Sequence, residues 1–129
     1  EALQFPNVLY VWDRYRELGA DLHLVPSDDG MTIPLDRMLA AIDERTAIVP
    51  ISHGIYVSGA LQDVKAITRR AHEVGALVMV DVYQTAGCVP IDVHDWDVDT
   101  AVGGSHKWLC GGPGTAFMWI AWSLVMIRS

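Results

Sequence analysis

Two short stretches carry side chains able to share one reaction. "SHKWLCGGPG", residues 105–114, sets the amine of Lys107 behind Ser105 and His106 and ahead of glycines and a proline. A lysine becomes a nucleophile where desolvation or a cationic neighbour lowers its pKa. The surrounding apolar residues favour such a setting, the glycines let backbone approach a ligand closely, and Ser105 and His106 are donors suited to an oxyanion or a phosphate. "VDVYQTAG", residues 80–87, ends an apolar run in Asp81, with Gln84 on the same turn. A carboxylate at the end of a buried strand is costly unless something pairs with it. Asp81 therefore reads either as a turn or capping acid or as the counter-charge of a cationic ring nitrogen, beside a Gln84 that offers both a donor and an acceptor. Lys107 taken alone also reads as an ordinary solvated loop residue; the two stretches together are what favour chemistry.

These residues need elements to hold them. Val8, Val11, Trp12, Tyr15 and Leu18 recur at helical spacing, with Asn7 able to cap the start and Gly19 the end. "DLHLV" reads as a short strand and "SDDG" as a turn. Pro34 opens a second helix with Leu35, Met38, Leu39 and Ile42 on one side. "TAIVPI" is a strand in which Pro50 points to a strand end or edge, and "SHGIYVSG" is a loop. A third helix turns Leu61, Val64, Ile67, Ala71 and Val74 inward and closes at Gly75. "ALVMVD" has the continuous apolar character of a strand covered on both faces, and "DTAVGG" and "TAFMWI" are further strands. The alternation predicts an α/β fold, a mainly parallel sheet flanked by helices. In such sheets ligands collect beyond the carboxyl ends of the strands, where Asp81, the "SHGIYVSG" loop and "SHKW" all fall.

The totals narrow the function. The 129 residues fit one domain, 51% hydrophobic and 19% charged, with a formal net charge of −7. That charge argues against nucleic acid and anionic membrane as partners. The uncharged tail "TAFMWIAWSLVMI" is shorter than the roughly 20 residues of a membrane helix and reads as a buried strand. Cys88 and Cys110 lack CxxC spacing and fit a reducing, cytoplasmic compartment; no signal peptide is visible. The start, "EALQFP" without a Met, points to a piece of a longer protein. His53, Cys88, His94, His106 and Cys110 have no zinc-like spacing, so no metal is expected.

"VDVYQTAG" followed by "DTAVGGSHKWLCGGPG" resembles the class V branch of fold-type-I pyridoxal-phosphate enzymes, among them kynureninases, cysteine desulfurases, selenocysteine lyases and some aminotransferases. The resemblance runs from "FPN" near residue 5 to about residue 120. It implies pyridoxal 5'-phosphate as cofactor, an amino acid as substrate and a homodimer. By the resemblance, Lys107 is the Schiff-base lysine, Asp81 pairs with the pyridine nitrogen, Gln84 bonds the ring hydroxyl oxygen, and Ser105 and His106 contact the phosphate. "HKWLCGGPG", Tyr56 ahead of Ser58-Gly59, and "FPNVLYV" lean toward kynureninase, hence hydrolytic cleavage of kynurenine to anthranilate and alanine, with Tyr56 near the ring. His106 and Gln84 are the desulfurase-like choices at their positions.

The resemblance also implies parts that residues 1–129 do not carry. The family's phosphate-holding loop would precede Glu1, and its small domain would follow Ser129. "AWSLVMIRS" departs from the family pattern. The chain is therefore expected to be part of a pyridoxal-phosphate-binding large domain, with weak or no catalysis alone. The competing expectation is a non-catalytic fragment or interaction domain, for which the apolar residues 117–127 speak. Cys110 is expected to be a small packed residue, Trp12, Trp108, Trp119 and Trp122 to lie in the core or a subunit interface, and Trp96 to face a neighbour.

Overall fold

The structure, a computed structural model, describes residues 1–126. Its centre is a four-stranded sheet in the order β1 (Ile48–Ser52), β2 (Leu77–Asp81), β3 (Thr100–Gly104), β4 (Ala116–Ile120). β1, β2 and β3 are parallel, and β4 returns antiparallel beside β3. The expected α/β layering with a mainly parallel sheet is what forms.

β2 shows why. Val78 and Val80 are fully buried, and helix α3 (Val64–Glu73) turns Val64, Ile67, Thr68 and Ala71 onto the sheet. Burying a side chain such as Ile67 stabilises by about 1.5–3 kcal/mol. Asp63 caps α3 by accepting the Ala66 N–H at 2.9 Å, so the helix begins at Val64 and Leu61 stays outside it, exposed. At the other end Ala76 N–H bonds Ala71 O and Gly75 N–H bonds His72 O. That is a Schellman closure, with Gly75 at φ 80°. Asp99, buried just before β3, accepts the Val78 N–H at 2.7 Å and contacts His72 Nε2 at 3.0 Å, fastening the opposite end of the sheet.

The amino-terminal region departs from expectation. Helix α1 (Pro6–Arg14) starts at Pro6, whose missing N–H costs nothing there; Asn7 lies inside it and no side chain caps it. A 3-10 turn (Tyr15–Leu18) carries the chain to Gly19. The apolar stripe is present but not packed: no residue of α1 is buried, and Val11, Tyr15 and Leu18 are exposed. "DLHLV" is not a strand. Among the described residues it has no ladder to join, and only Val25 of the five is buried, its carbonyl accepting the Ala2 N–H. Helix α2 (Leu35–Ala40) buries Met38.

The tail is also corrected. β4 forms, but as a mostly exposed edge strand. Met118 and Ile120, on one face of β4, and Phe117, on the other, are all exposed. Trp122 and Met126 lie in helix α5 (Trp122–Met126) and are exposed; Ile127 lies outside the described residues. Trp119 is half-buried against the core, and Trp96 packs on His53 in a short helix, α4 (Val93–Trp96), rather than facing outward. Trp108 and Trp122 are exposed, not core.

Candidate active site at the carboxyl edge of the sheet

Parallel strands bring their carboxyl ends to one edge. In register, Ser52 of β1 lies beside Asp81 of β2, and Asp81 beside Val102 of β3. The loop after β1, the turn after β2 and the loop after β3 therefore leave together. The His53 N–H donates to Asp81 O at 2.9 Å and the Val82 N–H to Val102 O at 2.8 Å, so the turn is tied to both neighbours.

Asp81 is half-buried. Its Oδ1 accepts the Tyr83 N–H at 2.8 Å, and its Oδ2 has no hydrogen-bond partner among the described residues. Burial raises the Asp81 pKa above its ordinary value, opposed in part by that N–H and by the nearby positive charge of Lys107. The acid and the amine, distant in sequence, thus share one electrostatic environment. Lys107 is itself half-buried, its Nζ lying 5.0 Å from the Tyr83 ring centroid and 5.9 Å from that of Phe5. Phe5 in turn meets Tyr56 edge-on at 5.2 Å. Aromatic faces at these distances favour a cation between them.

The loop after β3 is closed at its base by Gly104 pairing with Ala116 and by the Ser105 N–H bonding Thr115 O. Inside it, Cys110 N–H bonds Lys107 O and Gly111 N–H bonds Ser105 O. Gly87, at φ 96°, lets this loop seat on the turn after β2; a Cβ there would lie 2.8 Å from the Trp108 carbonyl carbon. Ser105 spends its hydroxyl within the loop, on Gly112 O at 3.3 Å. His106 is exposed and hydrogen-bonds the Tyr83 hydroxyl. The Gln84 side-chain amide is unpartnered among the described residues. Tyr56 is 41% exposed, lining the edge rather than filling the core. Cys110 is exposed at φ 55°, so it is a turn residue and not the packed one expected. Among the described residues no three His, Cys, Asp or Glu side chains gather as a metal ion would need, and no helix is long and apolar enough to cross a membrane.

Sequence reasoning missed three contributors. Phe5 supplies an aromatic wall, and its only signal was its place in "FPN". Tyr83 stands between two residues singled out for chemistry, yet a tyrosine on a turn carries no signal of its own. His53 is buried, its Nδ1 2.9 Å from Thr85 Oγ1 and its ring edge-on to Trp96 at 4.6 Å. It braces the loop after β1 against the turn bearing Gln84, which no local pattern announces.

A half-buried carboxylate thus shares its surroundings with a half-buried lysine amine at the carboxyl edge of an α/β sheet. The chain belongs to the Aminotransferase class-V family, whose pattern matches residues 3–125. By the resemblance set out above, that family consists of pyridoxal-phosphate enzymes. The chain is 37% identical over 118 residues to the "Uncharacterized aminotransferase YcbU" of Bacillus subtilis, with 92% of this chain and 31% of that protein covered. It is 37% identical over 125 residues to the kynureninase of Pseudomonas fluorescens, covering 94% and 28% respectively. It is 40% identical over 108 residues to a probable cysteine desulfurase of Methanothermobacter thermautotrophicus, covering 84% and 27%. Among solved structures, a NifS-like protein superposes with a TM-score of 0.85 at 27% identity, over 94% of this chain and 34% of that one. The chain thus spans about 30% of the length of the curated relatives it matches.

Proposed function

We propose that this chain supplies the cofactor-holding edge of a pyridoxal-phosphate enzyme acting on an amino acid, of kynureninase type. The observation that carries the reading is the shared environment of Asp81 and Lys107, in which the lysine charge acts on the half-buried acid. The residues fit the cofactor. A desolvated carboxylate with one unpartnered oxygen suits a cationic ring nitrogen, and an amine between two aromatic faces suits a flat ring. Gln84, with its amide uncommitted, would bond the ring hydroxyl oxygen. His106, and Ser105 once its hydroxyl turns from Gly112, would take the phosphate.

When bound, the cofactor supplies an electron sink for the charge left on a substrate carbon. Asp81 would pair with the ring nitrogen and favour its protonated form, which that role requires. Lys107 would hold the cofactor, and its amine would be placed to carry a proton at the substrate carbon. Phe5 and Tyr56, edge-on to each other, would offer an apolar wall on one side. The reading includes a larger protein, with a phosphate loop before Glu1 and a small domain after Ser129, working as a cytoplasmic homodimer. What supports the larger protein and the dimer is the length of the relatives and the exposed apolar residues of α1 and β4.

His106 and Gln84 favour a second reading within the family, a cysteine desulfurase. Lys65 and Lys107 are the chain's two lysines, which makes the test direct. Pyridoxal phosphate is mixed with the chain, reduced with borohydride, and the labelled lysine found by peptide mass. The adduct is expected on Lys107 and absent in Lys107→Ala. Labelling confined to Lys65, or none, would refute the reading in favour of a non-catalytic domain. Kynurenine and cysteine, offered to the longer protein, then choose between the two activities.

A further inference from the structure

We propose that Tyr83 is a positioning residue of this site, one side chain that ties the acid at the end of β2 to the amine-bearing loop after β3. Its backbone N–H holds Asp81 Oδ1 at 2.8 Å, its hydroxyl hydrogen-bonds the ring of His106, and its ring face lies 5.0 Å from Lys107 Nζ. The His106 ring also meets the Tyr83 ring at a steep angle, 66°, with centroids 5.0 Å apart. Space for the tyrosine comes from Gly104, where any Cβ would overlap the phenol. One residue therefore touches the carboxylate through its main chain, the neighbour of the lysine through its hydroxyl and the lysine amine through its ring. Apart from it, Trp108 and Leu109 seat on Gly87, and the Lys107 charge acts on Asp81.

The parts are separable. The hydroxyl fixes His106, and hence the direction in which the residue beside it leaves β3. The ring face stabilises a cationic amine and shields it on one side. Tyr83→Phe removes the first and keeps the second; Tyr83→Ala removes both. The catalytic purpose of this strut rests on the reading of Asp81 and Lys107 given above, whereas the contacts themselves do not.

The test has two arms for that reason. Without cofactor, the chain labelled with 15N-histidine is compared with Tyr83→Phe by NMR, and reductive methylation by formaldehyde and cyanoborohydride is followed at Lys107, with Lys65 as the internal reference. The His106 ring nitrogens are expected to shift in Tyr83→Phe, with the Lys107-to-Lys65 rate ratio near that of wild type. In Tyr83→Ala the ratio is expected to rise about two- to fivefold, the range that loss of one exposed cation–π face supports. With pyridoxal phosphate, Tyr83→Ala is expected to lose most of the Lys107 adduct although its amine reacts faster with formaldehyde, a reversal that general loosening would not produce. Unmoved His106 resonances in Tyr83→Phe, or an unchanged rate ratio in a folded Tyr83→Ala, would overturn the proposal. If Tyr83→Ala does not fold, the Tyr83→Phe spectrum decides alone. A wild-type chain that takes up no pyridoxal phosphate would sink the proposed function and leave the cofactor-free arm to judge Tyr83.

Discussion

Replacing Gly87 by alanine separates two physical effects that meet at the site. Gly87 has φ 96° and Gly75 has φ 80°, so an alanine at either place enters the left-handed region. That costs about 1–2 kcal/mol, reduced by about 0.4–1 kcal/mol because alanine also restricts the unfolded chain. The surroundings differ. A Cβ at Gly75 meets nothing within 4 Å, whereas at Gly87 it lies 2.8, 2.9 and 3.0 Å from the Trp108 carbonyl carbon, its oxygen and the Leu109 nitrogen. Those are backbone atoms, which have no rotamer to retreat into. Overpacking of this kind costs about 1–3 kcal/mol, unless the loop after β3 lifts away and takes Lys107 with it. Gly87→Ala is therefore expected to unfold in urea about 1–3 kcal/mol more easily than Gly75→Ala, or to match it in stability while losing the Lys107 adduct. Thermal melts would show the first outcome as a difference of about 3–5 °C for each kcal/mol. Equal stability together with equal labelling of Lys107 would refute the inferred seating of the loop on the turn.

Two further expectations concern buried titratable groups. Asp81→Asn keeps an acceptor for the Tyr83 N–H and removes a desolvated charge. Because the native pKa is raised, the folded chain holds that proton more tightly than the unfolded one, so wild-type stability is lost as pH climbs from the ordinary value of 3.8 through the native one. The variant is expected to unfold at higher urea than wild type at pH 7, with a flatter stability–pH curve and less pyridoxal phosphate held on Lys107; a lower midpoint would contradict the burial argument. His53 runs the other way. Burial pushes its pKa below 6.5, so the stability it contributes is complete above that pH and falls as the solution is acidified through the native value. Thr85→Val, which strips the partner from His53 Nδ1, is expected to lower stability by about 1–3 kcal/mol at pH 7.5, measured by urea denaturation; no loss would mean the hydrogen bond is not made.

The parallel core was legible because β2 is continuously apolar and α3 repeats its apolar residues at helical spacing ahead of a closing glycine, although the Asp63 cap that leaves Leu61 outside went unread. Asp81 and Lys107 were legible because a charge among apolar or glycine-rich neighbours is conspicuous in one dimension. Residues 21–25 misled, since alternation and apolarity announce a strand only if a partner is present to complete its hydrogen bonds. The stripe on α1 and the apolar tail misled for a related reason: hydrophobic spacing says which side seeks cover, not whether cover is found. Tyr83, Phe5 and His53 stayed hidden because their roles depend on contacts between segments remote in sequence, such as Phe5 with Lys107.

The loop after β3 begins and ends at a single rung, where Gly104 faces Ala116. Past Lys107 the chain through Gly114 is exposed and returns to that rung. The entropy of closing such an excursion grows only with the logarithm of its length. Length can thus change at Pro113 and Gly114 at small entropic cost, while the bonds from Cys110 to Lys107 and from Gly111 to Ser105 keep the lysine on its bearing.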